Sequence, residues 1–357
     1  MIPKNGKEKR DGYAVITGGA GFVGVNVAQR LLAQGTVVRI FDNLSRPGVE
    51  HNLQWLVGDH GERVSVMVED IRDAPAVRKA VHDAHQVFHF AAQVAVTTSI
   101  QDPVRDFEIN VGGTLNLLEA LRALKNPPPL LFTSTNKVYG GLENLALREE
   151  ATRYAPVDGS IAEYGIPEST PLIFHSPYGC SKGAADQYVL DYARMYGIPA
   201  VVFRMSCIYG PRQFGTEDQG WLAHFFIRAL ENRSITLYGD GKQVRDILFV
   251  DDLVDAMQLA ICNIDRLWGR AFNIGGGPSQ TTSLLEIVDL IEDLHGYRPA
   301  VRFDTWRPGD QRYYVSDIRN FSNLAGWAPQ VGVREGVARL SRWLKELRSE
   351  KPASLVA

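Results

Sequence analysis

The chain is short of cysteine, of long apolar runs and of net charge. Only Cys180, Cys207 and Cys262 occur in 357 residues. An odd number spread this far apart offers no disulfide framework and suits a reducing, cytoplasmic compartment. No stretch reaches the roughly 18 uninterrupted apolar residues of a membrane span, so no membrane is expected as a partner. Lys and Arg number 38 against 41 Asp and Glu, a net charge of -3, which gives no broad basic field for nucleic acid. A metal signature is missing as well. The eight histidines form no Cys/His cluster, and the one His-x-x-x-His spacing, His85 to His89, runs along a predicted strand and not a helix.

What is there is the balance of a soluble globular protein, 45% hydrophobic and 22% charged, long enough to bury its own core. Met1–Arg10 is basic like the start of a signal peptide, but glycines follow where an apolar stretch would have to stand. Residues 1–10 and 348–357 therefore read as flexible tails.

The first half alternates short β-branched runs with helical patterns. Tyr13–Thr17, Val37–Phe41, Val64–Val68, Gln86–Phe90, Leu130–Ser134 and Ala200–Arg204 read as buried strands. Phe22–Gln34, Pro75–His82, Val104–Leu124 and Lys182–Tyr196 carry apolar residues at helical spacing. That alternation predicts parallel strands, right-handed crossovers and helices on both faces of one sheet, an α/β doubly wound fold. Beyond residue 210, helices near Trp221–Glu231, Asp252–Cys262, Leu284–His295 and Val333–Leu347 are separated by glycine-rich turns. The division expected is a dinucleotide-binding domain over 11–210 and a smaller, mostly C-terminal α/β domain over 211–347, with some segments returning to the first. Gly141–His175 reads as a long polar insertion, the kind of loop that is usually functional or mobile.

Val15-Ile-Thr-Gly18-Gly-Ala-Gly21-Phe-Val-Gly24 follows a strand and opens a helix. The first glycine permits a tight turn, the middle one lets backbone approach a pyrophosphate, and the last lets helix and strand pack closely. Helix-terminal N–H groups then meet phosphate. Taken alone, such a loop could be a turn without a ligand. Asp42, at the end of the second strand, supplies the carboxylate that accepts from ribose hydroxyls and repels a 2′-phosphate, favouring NAD over NADP. Arg46, four residues on, weakens that preference.

Ser176-Pro-Tyr178-Gly-Cys-Ser-Lys182 sets a phenol and an ammonium four residues apart, one above the other on a helix. At about 5 Å and an effective dielectric near 20, the lysine would lower the tyrosine pKa by some 2 units, toward where a general base works. On a surface helix the same spacing is a common accident. The segment also spells Gly179-Cys-Ser181-Lys-Gly183, the pattern of a hydrolase nucleophile elbow, but His175-Ser-Pro-Tyr before it is a proline turn where a strand is required. Phe132-Thr-Ser-Thr135-Asn-Lys-Val-Tyr-Gly140 ends a central strand at the carboxyl edge, where doubly wound folds place ligands. There a Thr135 hydroxyl could share the oxygen that Tyr178 deprotonates.

These segments resemble the extended short-chain dehydrogenase/reductase superfamily, its NAD-dependent nucleotide-sugar epimerases and dehydratases. The likeness runs on through Asp70-Ile-Arg-Asp73, Phe90-Ala-Ala92, Asn110, Phe203-Arg204, Tyr209-Gly-Pro-Arg212, Gly239–Asp246 and Arg307-Pro-Gly-Asp310. It implies a Rossmann-type fold and a tightly bound NAD in a redox-neutral cycle. Thr135, Tyr178 and Lys182 would be catalytic. Gly18, Gly21, Phe22, Val23, Asp42, Asn43, Asp70, Ile71, Ala91, Ala92, Gln93 and Asn110, with Tyr178 and Lys182, would hold the cofactor. Thr98, Asn136, Ser206, Gln219, Arg245 and Arg307 would hold the substrate, the two arginines on its diphosphate. Without the resemblance, those arginines would read as surface ion pairs.

Within the superfamily, Gln93–Ser99, Ser134–Gly140, Phe174–Gln187 and Asp218–Trp221 look most like the branch that inverts C2 of CDP-hexoses. The sugar dehydratases carry an Asp-Glu pair where Asn136-Lys137 stands here, which leaves no evident acid and base to eliminate water. Decarboxylases place Glu where Lys137 stands. A UDP-hexose 4-epimerase remains the alternative enzyme. A silent NAD-binding module, the alternative of another class, would show a broken Tyr-x-x-x-Lys, and both residues are present. A nucleoside-diphosphate sugar is the expected partner. A second copy of the chain is expected too, paired through Val104–Leu124 and Lys182–Tyr196 as a homodimer or homotetramer.

Overall fold

The computed structural model describes residues 12–350. A seven-stranded sheet organises the first half. Its strands are β1 (Tyr13–Thr17), β2 (Val38–Phe41), β3 (Val64–Met67), β4 (Ala84–His89), β5 (Leu130–Thr135), β6 (Ala200–Met205) and β7 (Arg270–Ile274). They lie in the order β7-β6-β5-β4-β1-β2-β3, all parallel. The chain leaves β1 toward one edge, then restarts on β1's other side at β4. Helices diverge at that switch point and open a crevice at the carboxyl ends. Register brings those ends level: Thr17 opposes Phe41 and His89, and Met205 opposes both Thr135 and Ile274.

Both faces of the sheet are covered, which is why its strands read as continuous apolar runs. On one face Val25, Leu32, Leu253 and Met257 pack over Ile16 and Ile40. On the other, Val77, Leu117, Leu121 and Val189 pack over Val15 and Val87. Each such side chain contributes about 1.5–3 kcal/mol through burial.

β7 comes from far along the chain, so the second half of the sequence completes the first sheet. The remainder gathers around Phe226, Leu237, Ile287 and Leu340, with Val244–Phe249 at its centre. That strand pairs with Cys207–Tyr209, Thr281–Ser283 and Tyr313–Tyr314, while Ile235–Tyr238 pairs with Val301–Asp304.

Several boundaries depart from the sequence reading. The helix expected over Val104–Leu124 is broken into Pro103–Phe107, a π-helical turn over Glu108–Gly112, and Gly113–Arg122. The catalytic-segment helix starts at Ser176, six residues before Lys182, with Pro177 in its first turn. A helix over Val49–His60, absent from the reading, follows β2. The final helix continues to Glu350, past the boundary expected at 347. Residues 1–10 and 351–357, read as tails, lie outside the described residues.

The Gly141–His175 insertion is folded where a loop was expected. Leu147–Glu149 and Tyr154–Pro156 form an antiparallel pair, and Gly159–Tyr164 is a helical turn capped by Asp158. Tertiary bonds hold it: Tyr154 N–H donates to Lys242 O at 3.0 Å and Ile166 N–H to Val315 O at 2.7 Å. Beneath it, Arg204 on β6 makes a bidentate pair with Asp186 at 2.9 and 3.0 Å, and also reaches the Tyr139 hydroxyl. Both charged groups are buried. Removing one partner strands the other charge in low dielectric. Arg204→Met should therefore lower the unfolding free energy by about 3–5 kcal/mol, read as a drop in urea midpoint. Adding Asp186→Leu should recover much of it. A single variant as stable as the parent would contradict this role.

Candidate active site

Two adjoining cavities occupy the carboxyl edge and meet at Thr135, Tyr178, Cys207 and Gln219. The first, ≈ 330 Å³, runs from the glycine loop past Asp42, Asn43, Asp70, Ile71, Ala91 and Ala92 to Lys182 and Ser206. The second, ≈ 280 Å³, is walled by Asn136, Lys137, Trp221, Tyr238, Arg245 and Arg307.

The first cavity fits a dinucleotide in its backbone. Gly18 has φ +67°, and a Cβ there would stand 2.7 Å from Ala91 N; one on Gly24 would stand 2.5 Å from Gly18 O. Either forces the loop off the sheet. A Cβ on Gly21 would crowd Gly18 O at 3.2 Å, and Gly21 itself lines the cavity. The helix that follows, Phe22–Ala33, has no side-chain cap at Gly21. Its first N–H groups are left for a ligand anion. The Asp42 carboxylate accepts from Ala20 N–H at 3.0 Å and Leu44 N–H at 2.9 Å, which orients it into the cavity. Burial raises its pKa, while those two N–H groups and Arg46 oppose the rise. Asp70 is pinned by Arg72 and Asn43. These residues suit NAD: glycines where phosphate backbone must approach, and a carboxylate where ribose hydroxyls need an acceptor.

Not every expected residue lines this space. Gln93 and Asn110 stand behind it. Asn110 sits in the π-helical turn, accepts from Gln93 N–H at 2.9 Å and donates to Ser181 Oγ at 2.9 Å. Ser181 Oγ donates in turn to the buried Asp106 carboxylate at 2.5 Å. This network braces the helix that carries Tyr178 and Lys182.

At the junction, Thr135 stands beside the Tyr178 phenol and donates through Oγ1 to Asn136 Oδ1 at 3.3 Å. Thr135 Oγ1 also accepts from Lys137 N–H at 3.2 Å. Tyr178 N–H donates to Ser99 Oγ at 3.1 Å, fixing the first turn of its helix. Lys182 is buried with its ammonium 4.3 Å from the Phe132 ring centre.

The electrostatics correct the expectation drawn from spacing. Burial pushes the Tyr178 pKa up to about 12; the Thr135 hydroxyl opposes that and the Asp106 charge adds to it. Burial pulls Lys182 down to about 7 against the charges of Asp186 and Asp106. Desolvation is the largest cause in each case, and neither group figures among the causes acting on the other. The protein alone therefore keeps the phenol protonated at neutral pH, and the charge that favours phenolate has to arrive with the ligand.

In the second cavity, Arg245 is buried and donates to Asp310 Oδ1 at 2.7 Å and Gln311 O at 2.6 Å. Arg307 lies 3.9 Å over the Tyr238 ring and donates to Glu217 O at 2.9 Å. Asn136 donates to Gln311 Oε1 at 3.1 Å. Gln219 lines both cavities, and its buried Oε1 has no partner. Two expected substrate residues fall elsewhere. Thr98 is exposed, and its helical neighbour Thr97 lines the cavity instead. Ser206 lines the first cavity, with its hydroxyl donated to Asp246 O at 2.9 Å. Sequence reasoning passed over Ser134, whose buried Oγ is unpartnered beside Thr135, and Cys207, which accepts from Trp221 Nε1–H at 3.4 Å. Only a strand-end position marked the first; nothing in the pattern marked the second.

Comparison with known proteins now carries the decisive observation. The model of the NAD dependent epimerase/dehydratase family matches residues 14–275. The chain belongs to that family. It is 45% identical over 346 residues to CDP-paratose 2-epimerase of Salmonella typhi, covering 93% of this chain and 99% of that protein. It is 33% identical to a putative UDP-glucose 4-epimerase of Methanocaldococcus jannaschii, covering 93% and 98%. Among solved structures, UDP-glucuronic acid 4-epimerase of Bacillus cereus, in complex with UDP-glucuronic acid and NAD, superposes with a TM-score of 0.81 at 27% identity, covering 94% of this chain and 99% of that one. Among the described residues no helix is long and apolar enough to cross a membrane.

The depressed Lys182 sets a pH test. Its folded pKa, about 7, lies below the ordinary 10.5, so between those values the unfolded chain holds a proton the folded one has released. Stability then rises with pH across that window. The ligand-free protein should gain urea midpoint from pH 7 to 9.5 relative to Lys182→Met. A constant difference between the two would refute the shift.

Proposed function

We propose that this protein inverts C2 of a CDP-hexose through a transient keto-sugar, using NAD held in the first cavity. The observation that carries the reading is the likeness to CDP-paratose 2-epimerase along almost the full length of both chains, joined to a Thr135–Tyr178 pair at the junction of the two cavities. NAD, when bound, supplies the acceptor for hydride from the sugar carbon and the donor for its return. Tyr178 takes the hydroxyl proton as hydride leaves and gives it back at the end. Thr135 holds the reacting oxygen on line with the phenol. Lys182 donates to a ribose hydroxyl and biases Tyr178 toward phenolate once positive charge is present beside it. Arg245 and Arg307 take the diphosphate. Gly18, Gly21, Phe22, Val23, Asp42, Asn43, Asp70, Ile71, Ala91 and Ala92 hold the cofactor, with Gln93 and Asn110 supporting the wall from behind. The reaction consumes no reductant.

The absence of carboxylates next to Thr135 supports epimerisation over dehydration. Asn136 is an amide engaged with Gln311, and Lys137 is a cation. A UDP-hexose 4-epimerase is the second reading, favoured by the likeness to the Methanocaldococcus jannaschii protein. The division at residue 210 into cofactor and substrate domains, and a cytoplasmic setting, belong to the same proposal. So does pairing of two chains: Val104, Phe107, Tyr188, Met195 and Tyr196 leave large apolar surface exposed on the two helices named for it.

The test is to incubate the protein with CDP- and UDP-hexoses and follow C2 and C4 configuration by NMR. Inversion at C2 of a CDP-sugar is expected, and stoichiometric NADH release or loss of water would refute the assignment. Tyr178→Phe should cut turnover at least about 100-fold, the scale of general-base catalysis, with NAD still bound. Unchanged turnover would exclude the phenol. Light scattering should give a mass of at least two chains, and a monomer would remove the pairing proposal.

A further inference from the structure

Lys137 has so far served only to argue against dehydration and has been given no contact with substrate. Its backbone N–H donates to the Thr135 hydroxyl at 3.2 Å, so it stands on the first turn after the strand that ends at the reacting oxygen. The side chain lines the second cavity with Asn136 and Tyr178. Its Nζ donates to Gly309 O at 3.2 Å and lies 3.5 Å from Asp310 Oδ1. That same carboxylate oxygen accepts from Arg245 at 2.7 Å. One acidic oxygen therefore gathers two cations, Lys137 and Arg245, on one wall, and Lys137 is the one carried on the turn after Thr135. Two cations with a single carboxylate between them leave a net positive charge, and the ligand proposed for this cavity brings a diphosphate.

We propose that Lys137 is a substrate-binding residue that takes the sugar-linked phosphate and so selects C2 as the carbon presented to Tyr178. The geometry of a hexose makes the argument. The C2 oxygen is separated from that phosphate only by C2, the anomeric carbon and its oxygen, whereas the C4 oxygen lies across the ring. If C2 is at the Thr135–Tyr178 pair, the adjacent phosphate has to lie beside the pair, where Lys137 is. If C4 is there, that phosphate lies a ring's width from the pair, away from the turn that carries Lys137. A cation on the turn following Thr135 rewards the first pose. Asp310 holds that cation in place before substrate arrives, which limits the rotamer freedom lost on binding.

The inference rests on the C2 reading, and the experiment separates the two. Binding of a CDP-hexose, CDP and CMP is measured calorimetrically on the NAD-loaded protein and on Lys137→Met, which keeps the aliphatic stem. Loss of one charge-assisted contact corresponds to about 10- to 100-fold. The CDP-hexose and CDP should weaken by that factor while CMP, which lacks the second phosphate, changes less than about 2-fold. Equal weakening of all three would mean that Lys137 only shapes the cavity; unchanged CDP-hexose affinity would mean that it does not touch the phosphate. Either result overturns the proposal. Should Lys137→Met fail to fold, Lys137→Gln keeps a donor for Gly309 O, loses the charge and is read in the same way. Failure of the wild-type protein to invert C2 would sink the function instead, whatever the binding contrast.

Discussion

Everything at the carboxyl edge depends on burying charge beside opposite charge. Lys182 is buried between the Asp186 and Asp106 charges, Arg204 is clamped by Asp186, and Arg245 and Lys137 share Asp310. Taking such groups out of water costs several kcal/mol each. They persist because the sheet and the helices around it bury enough apolar surface to offset the penalty. Asp186 joins two of these arrangements. Four residues after Lys182 on the same helix, it faces β6 on one side and the catalytic turn on the other. Cleft and core thus share one carboxylate, Asp186.

The same burial explains why the phenol and ammonium do not tune each other as spacing alone suggests. An i, i+4 pair in water would share its charge at modest cost. Here both lie where the neutral forms are favoured, and the Asp106 charge raises both pKa values. In the proposed reaction this ties the readiness of Tyr178 as a base to the positive charge that the ligand brings. Asp106 stands just before the π-helical turn, which carries Asn110, and Asn110 donates to both Asp106 and Ser181. Such turns recur at functional sites because they re-aim one side chain without ending the helix.

What could be read from the chain was what is local. The glycine loop, Asp42 at the end of a strand, and Tyr178 above Lys182 each follow from a few consecutive residues and the period of one element. So does the parallel sheet, since strands covered on both faces must be apolar throughout. Features made by distant segments were not legible. Asp310 meets Lys137 only after the second half folds back, and β7 joins the first sheet by the same return. The insertion over Gly141–His175 looked structureless because its backbone partners, Lys242 and Val315, lie far along the sequence. Thr98 was misplaced by one residue, and on a helix a single step turns a side chain from the cavity to solvent.

The Asn136-Lys137 step shows how one scaffold is steered between outcomes. A carboxylate pair at these positions could donate and remove protons at carbons next to an oxidised centre, which is what elimination of water requires. The amide cannot. Its Nδ2 donates to Gln311, and Gln311 Nε2 donates to Gly140 O at 2.6 Å, so the chain of donors ends on backbone. The ammonium is held by Asp310, which it neutralises in part, and that carboxylate is already shared with Arg245. Neither position after Thr135 therefore offers a carboxyl acid or base to the reacting sugar. With an amide and an ammonium at these two positions, return of the same hydride is the outcome they favour for the keto-sugar, and which face receives it is decided by how the sugar is held.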